Sequence, residues 1–189
     1  MSRPAVSRRL IAAGLMAALA FGCGRKESTT IQTDKGTVTV ETDGDTTTIT
    51  GADGRKATMK SEGGTVTMTT DGGTFASGSG RLPEGFPLPQ IEGARIQQSA
   101  HMTPAAGRDD PEVYHATMTV DMPPAEAAAF YEKALKDKGF EVSRMDSQSG
   151  DDALISLSGS ADAIDAAVVV TRETSASETT VSVNWSIRR

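Results

Sequence analysis

This 189-residue chain is poor in the side chains that carry most protein chemistry: one cysteine, two histidines, one tryptophan, two tyrosines and five phenylalanines. A lone cysteine excludes an intramolecular disulfide, so stability has to come from a hydrophobic core and from strand pairing. Two histidines and one cysteine fall short of the four ligands a structural zinc wants. Basic residues are outnumbered, 19 against 25 acidic, which removes the electrostatic footprint of a nucleic-acid binder. Long hydrophobic runs are missing too. The longest, residues 10–21, has twelve positions, short of the ~20 that a membrane-crossing helix needs. Nor does the sequence contain a nucleophile elbow, a phosphate-binding loop, an H-E-x-x-H pair or a dinucleotide fingerprint. Nothing in it calls for a cofactor, and no enzyme is expected.

What is present begins at the amino terminus. Arg3, Arg8 and Arg9 precede the apolar run, which ends on the small residues Gly22, Cys23 and Gly24. A basic start, a short hydrophobic stretch and a small-residue exit describe a secretory leader, expected over residues 1–22. Its removal would make Cys23 the first residue and leave 16 basic against 25 acidic side chains, a net −9. Such a chain gains nothing from the charge of an anionic membrane. Ala20-Phe21-Gly22-Cys23 resembles the lipobox of bacterial lipoproteins. The resemblance implies a thioether to diacylglycerol and an acylated amine on Cys23, and two or more acyl chains hold where one holds only weakly. Gly24, in place of aspartate after the cysteine, implies the outer membrane.

Residues 23–28 then read as a lipidated tether. Threonine, glycine and aspartate dominate residues 29–76, where a repeat appears. Gly36-Thr37-Val38-Thr39-Val40-Glu41-Thr42-Asp43-Gly44 returns 28 residues later as Gly64-Thr65-Val66-Thr67-Met68-Thr69-Thr70-Asp71-Gly72. Threonine alternating with an apolar residue is the strand signal, and Asp-Gly pairs punctuate it as turns. A Thr/Gly-rich antiparallel β-meander is predicted, with an apolar side too thin to bury much. Its turn aspartates lack the spacing of a calcium loop.

Residues 77–81 have linker composition. Three prolines then stiffen Leu82-Pro83-Glu84-Gly85-Phe86-Pro87-Leu88-Pro89 into an extended segment whose Leu82, Phe86 and Leu88 can plug a core. Residues 82–189 hold six of the seven aromatics that follow the leader. Strands are predicted over residues 94–102, 113–120, 140–145, 153–158, 164–171 and 180–187. Pro123-Pro124 opens a helix with Ala127, Phe130, Tyr131, Ala134 and Leu135 along one stripe. The expected fold class is α+β: a two-layer globular domain of one helix on an antiparallel sheet, preceded by the meander. Leu82-Pro83-Glu84-Gly85-Phe86-Pro87, with Phe130-Tyr131, Leu135 and Gly139-Phe140, resembles domains of uncharacterised bacterial envelope lipoproteins. These are packing residues, and the resemblance implies no activity.

Candidate site residues are few. Cys23 is the expected lipidation site. His101 and His115 would face each other if their hairpin centred on Arg108, close enough to share a metal ion, although two ligands do not make a site. Asp109-Asp110 and Asp151-Asp152 read as solvated turn residues. The sequence therefore predicts a lipid-anchored cell-envelope protein acting as a non-catalytic binding or scaffolding module. Its expected partners are a membrane, through the anchor, and an envelope protein. A periplasmic domain for a small ligand or metal is the alternative, and an enzyme of unknown type the second alternative.

Overall fold

Threonine and valine in alternation favour extended chain, because branched Cβ atoms pack well on a pleated surface. The computed structural model describes residues 26–188. The threonine-rich part forms β1 (Glu27–Thr33), β2 (Gly36–Asp43), β3 (Thr46–Thr50), β4 (Lys56–Glu62), β5 (Thr65–Thr70) and β6 (Gly73–Gly78). Then come β7 (Arg95–Pro104), β8 (Glu112–Val120), the helix α1 (Pro124–Asp137), β9 (Glu141–Ser149), β10 (Asp152–Ala161), β11 (Ile164–Arg172) and β12 (Thr179–Ile187). The 28-residue repeat sets β5 in the place of β2. The predicted leader and Cys23 lie outside the described residues.

All twelve strands join one antiparallel sheet, ordered β1-β2-β3-β4-β5-β6-β7-β8-β12-β11-β10-β9. This overturns the α+β expectation. With 58% of the described residues in strands against 9% in the helix, the fold is β-rich, not a two-layer α+β domain behind a separate meander. The physical reason is the junction of β6 with β7. Gly73 to Gly78 pair with Pro104 to Ser99 without interruption, so the threonine-rich strands continue the sheet that carries the helix. Ser77 and Gly78, read as linker, are the end of β6. Glu27 and Ser28, read as tether, open β1.

Two facing sets of side chains alternate along every strand. On the helix side, Ile155, Leu157, Val168, Val170, Val181, Val183, Ala116 and Met118 are buried beneath Ala127, Ala128, Tyr131 and Leu135 of α1. The proline-rich segment extends that cover over β7 and β8: Leu88 and Ile91 are buried, and Leu82 and Phe86 pack against the core. Phe86 meets Tyr114 edge-to-face with ring centroids 6.3 Å apart. Tyr131 and Trp185, the aromatics of the helix and of β12, both belong to the core. Truncating Leu135 to alanine should cost about 2–5 kcal/mol.

Past β7 the apolar side changes over. Register carries Val113 to Met102, Met102 to Phe75, Phe75 to Met68 and Met68 to Met59, all on the side away from the helix. Ile49 and Val40 follow on the same side. Threonines take the helix side, where Thr48, Thr58, Thr69, Thr74 and Thr103 form a row across five strands. The sheet thus has one apolar side covered by α1 and, in its other half, an opposite apolar side on which Met59, Met68, Phe75 and Met102 are exposed, bordered by Asp110 and Pro111 of the β7–β8 loop.

Candidate functional site

A polar cluster sits where the proline-rich segment leaves β6 and crosses β7. Gly80 N–H bonds the Ile96 carbonyl at 3.0 Å and turns the chain back over the sheet. A Cβ on Gly78 would stand 2.9 Å from Thr65 Oγ1 and 3.0 Å from the Gly64 carbonyl, so glycine is what lets β5 and β6 close up here. The result is a cleft of about 370 Å³ lined by Thr65, Arg81, Pro83, Glu84, Ser99 and His101 among others.

His101 forms one wall. Its ring stacks on Tyr114, its partner across the β7–β8 ladder. Its Nε2 lies 2.9 Å from Glu112 Oε1 and 3.3 Å from Thr103 Oγ1. The same Glu112 oxygen accepts the Tyr114 hydroxyl at 3.0 Å. Residues 112 and 114 are two apart on one strand and so share a face. With Glu112 ionised, Oε1 accepts two hydrogen bonds, so the His101 nitrogen facing it, Nε2, carries a proton. Burial raises the Tyr114 hydroxyl pKa above its usual value, and the bond to Glu112 and its charge push the same way. Opposite, Arg81 Nη2 donates to Thr65 Oγ1 at 3.1 Å, and buried Ser99 donates to the Arg81 carbonyl at 2.9 Å. The cleft thus offers a guanidinium, an imidazole edge and the Glu84 carboxylate beside the apolar Leu82 and Ala76. Such a mixture suits a short polar segment with an apolar foothold.

The expected histidine pair does not form. His101 pairs with Tyr114 and Ala100 with His115, one residue away from a hairpin centred on Arg108. A one-residue slip reverses every side chain. His101 therefore points to the helix side and His115 to the other, where it meets Asn184 Oδ1 at 2.9 Å and Thr117 Oγ1 at 3.2 Å. The two imidazoles cannot share an ion. Asp110, at the turn between the two strands, pairs with Arg108 at 2.6 Å. Asp152 accepts the Thr174 hydroxyl and amide, at 2.7 and 2.6 Å, and these bonds hold its carboxyl below the usual range. Among the described residues no group of three or more histidine, cysteine, aspartate or glutamate side chains is placed to hold a metal ion. No described helix is long and apolar enough to cross a membrane.

Sequence reasoning missed Glu112, Arg81 and Ser99. The Glu112-x-Tyr114 spacing was a usable signal for the first. For Arg81 and Ser99 nothing in composition pointed to the cleft, because only the return of the chain over β7 brings them together. Comparison with family models, with curated proteins and with solved structures finds no match.

Proposed function

We propose that this chain is a lipid-anchored protein of the bacterial cell envelope, held at the outer membrane through Cys23, and that it acts without catalysis as a binding or scaffolding module for an envelope protein. The observation that carries the binding role is the cleft beside His101. Its side chains hold one another in place: Glu112 fixes both His101 and Tyr114, and Ser99 commits its hydroxyl to the Arg81 carbonyl. A nucleophile so engaged, without a base at its hydroxyl, favours a rigid recognition surface over turnover. The anchor rests on the basic leader, the short apolar run and the placement of the only cysteine.

Two measurements test it. Intact mass of the membrane-bound chain should begin at an acylated Cys23, and Cys23→Ser should leave the membrane fraction or stay unprocessed. A photo-crosslinking residue at Glu84, in native membranes, should give one discrete protein adduct that Arg81→Ala removes. An unmodified Cys23 thiol on the membrane-bound chain would sink the anchor. An adduct pattern indifferent to Arg81 would sink the cleft as binding site. The cleft volume also favours a second reading, a small polar ligand in the same place, which a ligand-dependent rise in melting temperature would reveal by linkage.

A further inference from the structure

We infer that the apolar side of β2–β7 turned away from the helix is a membrane-docking surface, on which the sheet lies against the bilayer. The inference rests on the lipid anchor proposed for Cys23. Met59, Met68, Phe75 and Met102 form a continuous cross-strand row there, with 42%, 39%, 41% and 41% of their surfaces exposed. Four large apolar side chains left open in one row, while the other half of the same sheet buries its own, mark a contact surface.

Charge is distributed the same way. Every charged residue of β2–β6, namely Glu41, Asp43, Lys56, Lys60 and Glu62, alternates onto the opposite, helix side. The docking side of those strands carries valine, isoleucine, methionine, phenylalanine, alanine, glycine, serine and threonine only. On β1 it carries Glu27, at the strand's start beside the anchor. On β7 it carries Arg95, ion-paired with Glu178, and Asp110 borders it beside Met102, so charge is confined to the margins of the patch. A side whose centre carries no charge has no ionic partner to find there, and one with open methionines does not gain from water.

The anchor identifies the occupant. From Cys23 to Glu27, where β1 starts, there are four Cα steps, at most ~14 Å of extended chain. A lipidated Cys23 therefore holds the sheet within reach of the headgroups, at an effective concentration no freely diffusing partner matches. A second copy fits less well. Six strands about 4.8 Å apart and roughly 20 Å long make a footprint of about 580 Å², short of the ~800 Å² each partner buries in a standard interface. With a net charge of −9 for the mature chain, docking has to be apolar, so zwitterionic lipid suffices.

The test supplies the anchor chemically, so it does not depend on what the cell attaches. The mature chain, residues 23–189, is coupled through the Cys23 thiol to a maleimide lipid in phosphatidylcholine vesicles. Trp185→Phe silences the native tryptophan, whose buried indole nitrogen has no hydrogen-bond partner among the described residues. Into this background go Phe75→Trp, on the docking side, or Thr69→Trp, exposed on the other. Apolar surfaces in the interface sit ~5–10 Å deep, so brominated phosphatidylcholine should quench Trp at 75 at least about two-fold more than Trp at 69. Met68→Lys with Met102→Lys should abolish the difference while the chain stays coupled. Circular dichroism melts matched to wild type exclude misfolding. Equal quenching at both positions in the coupled, folded chain overturns the docking surface. A blue shift of Trp at 75 that follows protein concentration without vesicles also overturns it, in favour of a second copy. An unacylated Cys23 in cells would fail the anchor alone.

Discussion

His101 and Tyr114 lie face to face across β7 and β8, their ring centroids 4.0 Å apart and their planes inclined by 13°. This stack holds the wall of the cleft rigid, and Glu112 ties its two polar ends together. Phe86 closes on Tyr114 from the proline-rich segment, so the ring that backs the His101 wall is itself part of the core. Motion at the cleft would have to disturb the packing beneath it.

Glu112 is accordingly the most informative substitution at this site. Glu112→Gln preserves shape but replaces a charged acceptor of two hydrogen bonds by a neutral one. The Glu112 side chain is 20% exposed and His101 22%, so solvent screens the loss only in part. Hydrogen bonds to charged groups contribute about 1.5–3 kcal/mol, and about 1–2 kcal/mol of stability should be lost. Urea unfolding at pH 7 measures it. A midpoint equal to wild type would show that the network carries no stability.

A second expectation concerns alkaline pH. Burial pushes the Tyr131 hydroxyl up to about 12 from 10.0, against the pull of its bond with the Ile91 backbone. The folded value is the higher one, so its contribution is complete below pH 10 and lost as pH rises towards 12. Two units correspond to roughly 3 kcal/mol. Wild type should therefore lose more stability than Tyr131→Phe between pH 9 and 12, while at pH 7 the variant gives up the bond to Met118 Sδ. Guanidinium midpoints read from Trp185 fluorescence decide it; parallel losses in the two proteins would disprove the assignment.

Particular residues show what the sequence could and could not reveal. Val181, Val183 and Trp185 alternate cleanly, and so do Val66 and Met68, so strands were legible in both halves. Pro124 and the Ala127–Tyr131–Leu135 spacing located the helix. What periodicity cannot encode is which strand pairs with which. Ser77 and Gly78 have the composition of a linker, and only their partners Ala100 and Ser99 make them strand. That hid the single sheet and with it the fold class. The histidine register failed for a related reason: the turn after Pro104 sets it, and loop residues carry no period. The side reversal between Met102 and Tyr114 is invisible until β7 and β8 are aligned.

The junction that makes one sheet of the two halves offers the last prediction. Gly73 has φ 135, a conformation side chains rarely adopt, and a Cβ there would fall 2.3 Å from the Thr103 carbonyl oxygen and 2.9 Å from Pro104 Cα. Both obstacles are backbone, so neither can swing aside. Gly73→Ala should force β6 away from β7 at the pair Gly73–Pro104. Backbone strain of this kind costs of order 1–3 kcal/mol. The neighbouring Gly72→Ala supplies the control, because its Cβ would meet only Thr70 Oγ1 at an ordinary 3.5 Å, and a substitution of that kind stays within about 0.5 kcal/mol. Hydrogen exchange locates the damage. In Gly73→Ala, amides of β1–β6 should lose protection while those of β8 and β10–β12, beneath the helix, keep theirs. Loss spread evenly over all twelve strands would mean that the sheet opens as one unit. Equal protection in Gly72→Ala and Gly73→Ala would mean that β6 and β7 do not approach as closely as described.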